Sequence, residues 1–101
     1  MSRFDLFGYT RAENIAHAMG LSIEAIPNPA KVYTEFIYTL PFGVEKAVLN
    51  VFDISGKLMD QIQLNSPINT KAYNTSYLKP GSYTIEIKTK EYSYSTKLIV
   101  Q

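Results

Sequence analysis

Lys79-Pro80-Gly81-Ser82-Tyr83-Thr84-Ile85-Glu86-Ile87-Lys88 holds a turn and a strand in one unbroken stretch. Proline presets φ, and glycine suits the left-handed position of a type II turn, with Leu78 and Tyr83 anchoring the flanks. Beyond the turn, Tyr83, Ile85 and Ile87 alternate with polar residues, which places them on one face of a strand.

The same alternation, broken by Pro, Gly, Asn and Ser, runs from Leu21 to the end of the chain. It predicts strands near 22–26, 32–39, 46–53, 57–64, 70–75, 82–89 and 93–100. Short strands with such punctuation indicate an all-β fold, an immunoglobulin-like sandwich of about seven antiparallel strands. The inward sets are Thr34, Phe36, Tyr38 and Leu40; Ala47, Leu49 and Val51; Leu58, Ile62 and Leu64; Tyr83, Ile85 and Ile87; and Tyr94, Leu98 and Val100. A second turn, Asp53-Ile54-Ser55-Gly56, puts a turn-initiating carboxylate first and glycine where a positive φ is cheap.

The first twenty residues differ. Thr10-Arg11-Ala12-Glu13 has the form of a capping box, which predicts a short helix or linker from Arg11 to Met19 ended by Gly20. The chain therefore divides into residues 1–20 and a β domain over 21–101. A length of 101 residues suits one folded unit. Eight tyrosines, with many valines, isoleucines and threonines, favour half-buried pleated surfaces.

Ten basic and nine acidic residues leave a net charge of +1, which gives the chain as a whole no field for gathering nucleic acid or anionic lipid. Cysteine is absent, so disulfides and thiolate chemistry are excluded, and an oxidising compartment is tolerated. No apolar run approaches the roughly 20 residues that span a bilayer as a helix, and the first twenty lack a secretory signal. If the protein is exported, its signal lies elsewhere and the chain is a piece of something larger.

Catalytic patterns are missing. His17 is the lone histidine, on the predicted helix, without the several convergent groups that a site requires. The acids are scattered, and no P-loop, dinucleotide fingerprint or Gly-x-Ser-x-Gly elbow occurs. Asp60, between Leu58 and Ile62, is expected at a bulge or hydrogen-bonded at an edge. Tyr33, Tyr73, Tyr77, Tyr92 and Tyr94 offer a glycan-stacking platform, although strand tyrosines more often serve the fold. No enzyme, cofactor or metal site is expected.

Four segments carry a resemblance. Ile26-Pro27-Asn28-Pro29-Ala30, Val51-Phe52-Asp53-Ile54-Ser55-Gly56-Lys57, Leu78-Lys79-Pro80-Gly81-Ser82-Tyr83 and Lys97-Leu98-Ile99-Val100-Gln101 resemble, in order and spacing, the type A C-terminal sorting domains of type IX secretion cargo. One departure is Thr34, where the family usually has a larger apolar residue. The resemblance implies recognition through Pro27, Asn28, Pro29, Asp53, Gly56, Leu78, Lys79, Pro80, Gly81, Tyr83, Lys97, Leu98, Ile99 and Val100.

It also implies that an attached upstream cargo crosses the inner membrane by a separate signal and folds in the periplasm. The sorting domain then directs it through an outer-membrane translocon to the cell surface or the medium. A sortase generally removes the domain and joins the cargo to an anionic lipopolysaccharide. Residues 1–20 would be a linker, the tail of a cargo domain or an appended segment, with the cut falling before Ile26. The expected partners are the translocon, the sortase and the cargo, with an edge-strand dimer as a further expectation. The rival reading is an immunoglobulin-like accessory module that binds glycan or acts as a spacer.

Overall fold

Alternating side chains are realised as seven strands: β1 (Ser22–Ile26), β2 (Tyr33–Thr39), β3 (Lys46–Phe52), β4 (Leu58–Asn65), β5 (Thr70–Asn74), β6 (Gly81–Lys88) and β7 (Ser93–Val100). The computed structural model describes residues 15, 18–65 and 69–101. The helix expected from Arg11 to Met19, and His17 within it, lie largely outside the described residues; at its end the Met19 amide donates to the Ile15 carbonyl at 3.0 Å.

The strands form two sheets, ordered β1-β2-β5 and β4-β3-β6-β7, with every neighbouring pair antiparallel. Their inner faces meet in a core of Leu21, Ile23, Phe36, Tyr38, Leu49, Val51, Leu64, Ile85, Ile87, Leu98 and smaller neighbours. Thr34 is also fully buried. Its hydroxyl donates to the Pro27 carbonyl at 2.9 Å, which explains how a polar residue occupies a core position.

Strand direction sorts the connections to two ends. The β1–β2 connection, the β3–β4 turn, the β5–β6 connection and the finish of β7 lie at one end, here called distal. Leu21 enters at the other, proximal end, beside the β2–β3 and β6–β7 connections.

Two expectations need correction. Leu58 is not inward: it is 47% exposed. The β3–β4 pairing runs Val51↔Asp60 and then Phe52↔Leu58, so Met59 is an extra residue on β4. Such a bulge breaks the period of two and turns Leu58 to the outer face beside Phe52. The bulge also accounts for Asp60, which shares the inner face with Ile62 and Leu64 at the rim of an edge strand. There its carboxylate accepts from the Tyr77 hydroxyl at 3.2 Å and from the Gln61 amide at 2.8 Å. Secondly, Gly81 has the positive φ that the turn reading requires, but not at the left-handed position of a type II turn. Its φ is 155°, and it opens β6 opposite Val100. Pairing with the last strand draws the glycine into the sheet.

Candidate recognition surface

The distal end is closed by an asparagine. Asn28 Nδ2 donates to the Lys97 carbonyl at 2.9 Å, and its Oδ1 accepts from the Ile99 amide at 3.0 Å. A carboxamide carries one donor and one acceptor group side by side, as a neighbouring strand would. Pro27 and Pro29 have no amide hydrogens to satisfy, so the loop leaves few donors of its own unmet. Both prolines follow cis peptide bonds.

Ala30 continues the pairing. Its amide donates to the Ile99 carbonyl at 2.8 Å, its carbonyl accepts from the Gln101 amide at 2.8 Å, and it bridges Val100 in parallel. On its other edge β7 is held by β6, through Tyr83↔Leu98, Ser82↔Ile99 and Gly81↔Val100. The closing strand is thus bonded on both sides along Lys97–Gln101, although it is nominally the edge of its sheet.

Tyr83 fixes the next segment. Its hydroxyl donates to the Lys79 carbonyl at 2.6 Å while its ring is buried. A tyrosine near the start of a strand, bonded back to the preceding corner, is a hallmark of immunoglobulin-like sandwiches. The corner itself is built by Asn74, whose Oδ1 accepts from the Ser76 amide and hydroxyl, and by buried Leu78, whose amide donates to Thr75. Replacing Tyr83 by phenylalanine keeps the ring and leaves the Lys79 carbonyl without this donor. The expected loss is about 0.5–1.5 kcal/mol in chemical denaturation; an unchanged midpoint would count against the bond.

Asp53 organises the third segment. Its Oδ1 accepts from the Ser55 hydroxyl at 2.6 Å, the Ser55 amide at 2.9 Å and the Lys57 amide at 3.0 Å, and Gly56 takes φ 88°. The Ser55 hydroxyl above all, then the Lys57 amide, hold the Asp53 carboxyl below the ordinary carboxylate range. A depressed carboxyl stabilises above its unfolded pKa, and the contribution fades as pH falls through the folded value. The turn is therefore at full strength at neutral pH.

All four sequence segments converge on the distal end. Leu98, Val100, Leu78 and Tyr83 point inward and anchor it, Ile99 is half-buried, and Pro27, Asn28, Pro29, Lys79, Pro80 and Lys97 are exposed. The five groups of bonds around Asn28, Ala30, Thr34, Tyr83 and Asp53 make this end a single fixed surface. Ala30 and Thr34 contribute to these bonds although neither is among the residues expected to carry recognition.

The tyrosine platform does not form as expected, because Tyr73 and Tyr94 are buried. Tyr73 stacks 5.1 Å from Phe36, and burial, reinforced by the Tyr77 hydroxyl at 3.4 Å, pushes its phenol well above the ordinary range. Among the described residues no group of His, Asp and Glu is arranged to hold a metal.

No curated protein and no solved structure matches the chain. One family model does match, described as the secretion system C-terminal sorting domain, over residues 24–101. That span begins inside β1 and takes in every later strand and all four converging segments. The protein carries a sorting signal of type IX secretion, which implies contact with that machinery, attachment to an upstream cargo and export to the cell surface or the medium. The chain belongs to the family of type IX secretion C-terminal sorting domains.

Proposed function

We propose that the export machinery recognises the distal end of the folded sandwich, and that the domain is an address without catalytic activity. The observation that supports this reading is the convergence of Pro27–Ala30, Asp53–Gly56, Leu78–Tyr83 and Lys97–Gln101 on the distal end, where the Asn28 clamp ties the first of them to the last. An upstream cargo joins at the opposite end, where Leu21 enters, so it does not crowd the address. The edge of β7 is already bonded, so a partner reads side chains there and does not add a strand. Pairing with a second copy has the edges of β4 or β5 to use.

Passage through the periplasm as a folded unit and later removal by a sortase complete the proposal. Proteases need an unfolded stretch. Ile23 and Ala25 are buried in paired β1, and Leu21 is fully buried, so the cut falls before Leu21. One experiment addresses both points: a periplasm-directed reporter fused ahead of the complete chain, in a host that has the system. The exported reporter should lose the domain, with its new C-terminus mapping before Leu21, and deletion of residues 97–101 should abolish export. A truncated reporter that reached the surface as efficiently as the intact fusion would favour a spacer module. A cut beyond Leu21 would sink the cleavage proposal.

A further inference from the structure

The outer face of the four-stranded sheet carries a groove of about 460 Å³ toward the proximal end, lined among others by Lys46, Val48, Asn50, Gln61, Lys88 and Lys90. Its origin is in the register. Val48 sits between Gln63 and Lys88 across three strands, and its short side chain leaves a trough between two long ones. The next row is a polar ladder: Gln61 Nε2 donates to Asn50 Oδ1 at 2.8 Å, and Asn50 Nδ2 donates to Glu86 Oε1 at 2.9 Å. These bonds hold Asn50, which is 7% exposed, and orient the exposed Gln61 carboxamide beside it as the floor.

Charge in the groove is one-sided. Lys46, Lys88 and Lys90 stand on its walls, and none of the described lining residues is acidic. The nearest carboxylate by register, Glu86, is engaged by Asn50 and does not line the groove. Glu45 and Glu91 border a neighbouring depression that shares Lys46 and Lys90, which moderates the field without removing it and leaves Lys88 as the groove's own cation. The near-neutral balance of the whole chain conceals this clustering, because Lys46 opens β3 whereas Lys88 and Lys90 lie far along the sequence, at the end of β6 and in the connection that follows it.

Ammonium groups bind phosphate as point charges, and fixed carboxamides supply hydrogen bonds with a defined direction. A volume in the roughly 300–1,000 Å³ range of small-molecule sites exceeds what a lone phosphate fills. We infer that the groove binds a sugar phosphate, with the phosphate held by Lys88 and its lysine neighbours and the ring laid along Val48 and the Asn50–Gln61 floor. The site lies away from the distal end, so it does not depend on the recognition reading above.

The test is a titration of the isotope-labelled chain with glucose 1-phosphate, followed by amide chemical shifts, with glucose and inorganic phosphate as separate titrants. Saturating shifts at Val48, Asn50, Gln61 and Lys88 are expected in the millimolar range for glucose 1-phosphate, and clearly weaker ones for each of the others. Lys88→Gln should weaken binding several-fold while the rest of the spectrum keeps its folded pattern; Lys46→Gln provides an independent variant on β3, the strand that carries Val48. Absence of saturation, equal binding of inorganic phosphate, or unchanged affinity in both variants would overturn the assignment.

Discussion

Replacing Phe36 by alanine is expected to cost the domain about 3–5 kcal/mol, the range for removing a large buried aromatic. Phe36 is fully buried in the middle strand of the three-stranded sheet, flanked by Ala25 and Lys71 in the register, with its ring tilted against Tyr73. Both flanking strands are short, so no neighbouring element can move in to fill the space cheaply. Total stability of domains is about 5–15 kcal/mol, and small ones sit toward the lower part. The variant should therefore populate its unfolded state visibly. Urea denaturation should show a much lower midpoint with an unchanged slope; a loss below about 1 kcal/mol would mean that Phe36 does not fill the core as described.

Asn28→Ala is the second large effect, and it falls on the recognition end. The substitution removes the donor to the Lys97 carbonyl and the acceptor from the Ile99 amide together. At about 0.5–1.5 kcal/mol for each hydrogen bond, the loss is about 1–3 kcal/mol, moderated because water reaches both groups. Asn28→Asp separates the two contributions: a carboxylate still accepts from Ile99 but repels the Lys97 carbonyl. Hydrogen exchange at the Ile99 amide should accelerate markedly in the alanine variant and much less in the aspartate variant. Equal protection in all three proteins would show that the side chain does not hold the strand.

The strands were legible because their signal is local. Tyr83, Ile85 and Ile87 announce a face by spacing alone, and Asp53 to Gly56 announce a turn by residue type. What failed was non-local or broke the period. Asp60 between Leu58 and Ile62 pointed to a bulge or an edge bond, but not to the extra residue at Met59 that inverts Leu58. Gly81 looked like a type II turn glycine because Pro80 precedes it; it keeps the positive φ but opens β6 opposite Val100 in another strand. The motif reading placed Pro27–Pro29 and Lys97–Val100 in the same family pattern, but not the bonds between them. Asn28 and its partners are separated by 69 and 71 positions, so only the closed sandwich brings them together.

Recognition of a folded distal end is tested most directly by changing its charge without touching its anchors. Lys79 and Lys97 are exposed at that end, and surface substitutions away from buried features usually move stability by no more than about 0.5 kcal/mol. A reporter fused to the chain, carrying Lys79→Glu and Lys97→Glu together, should fold with the stability of the parent and yet reach the cell surface with severely reduced efficiency, accumulating in the periplasm. Export of that folded variant at the level of the parent would contradict the account.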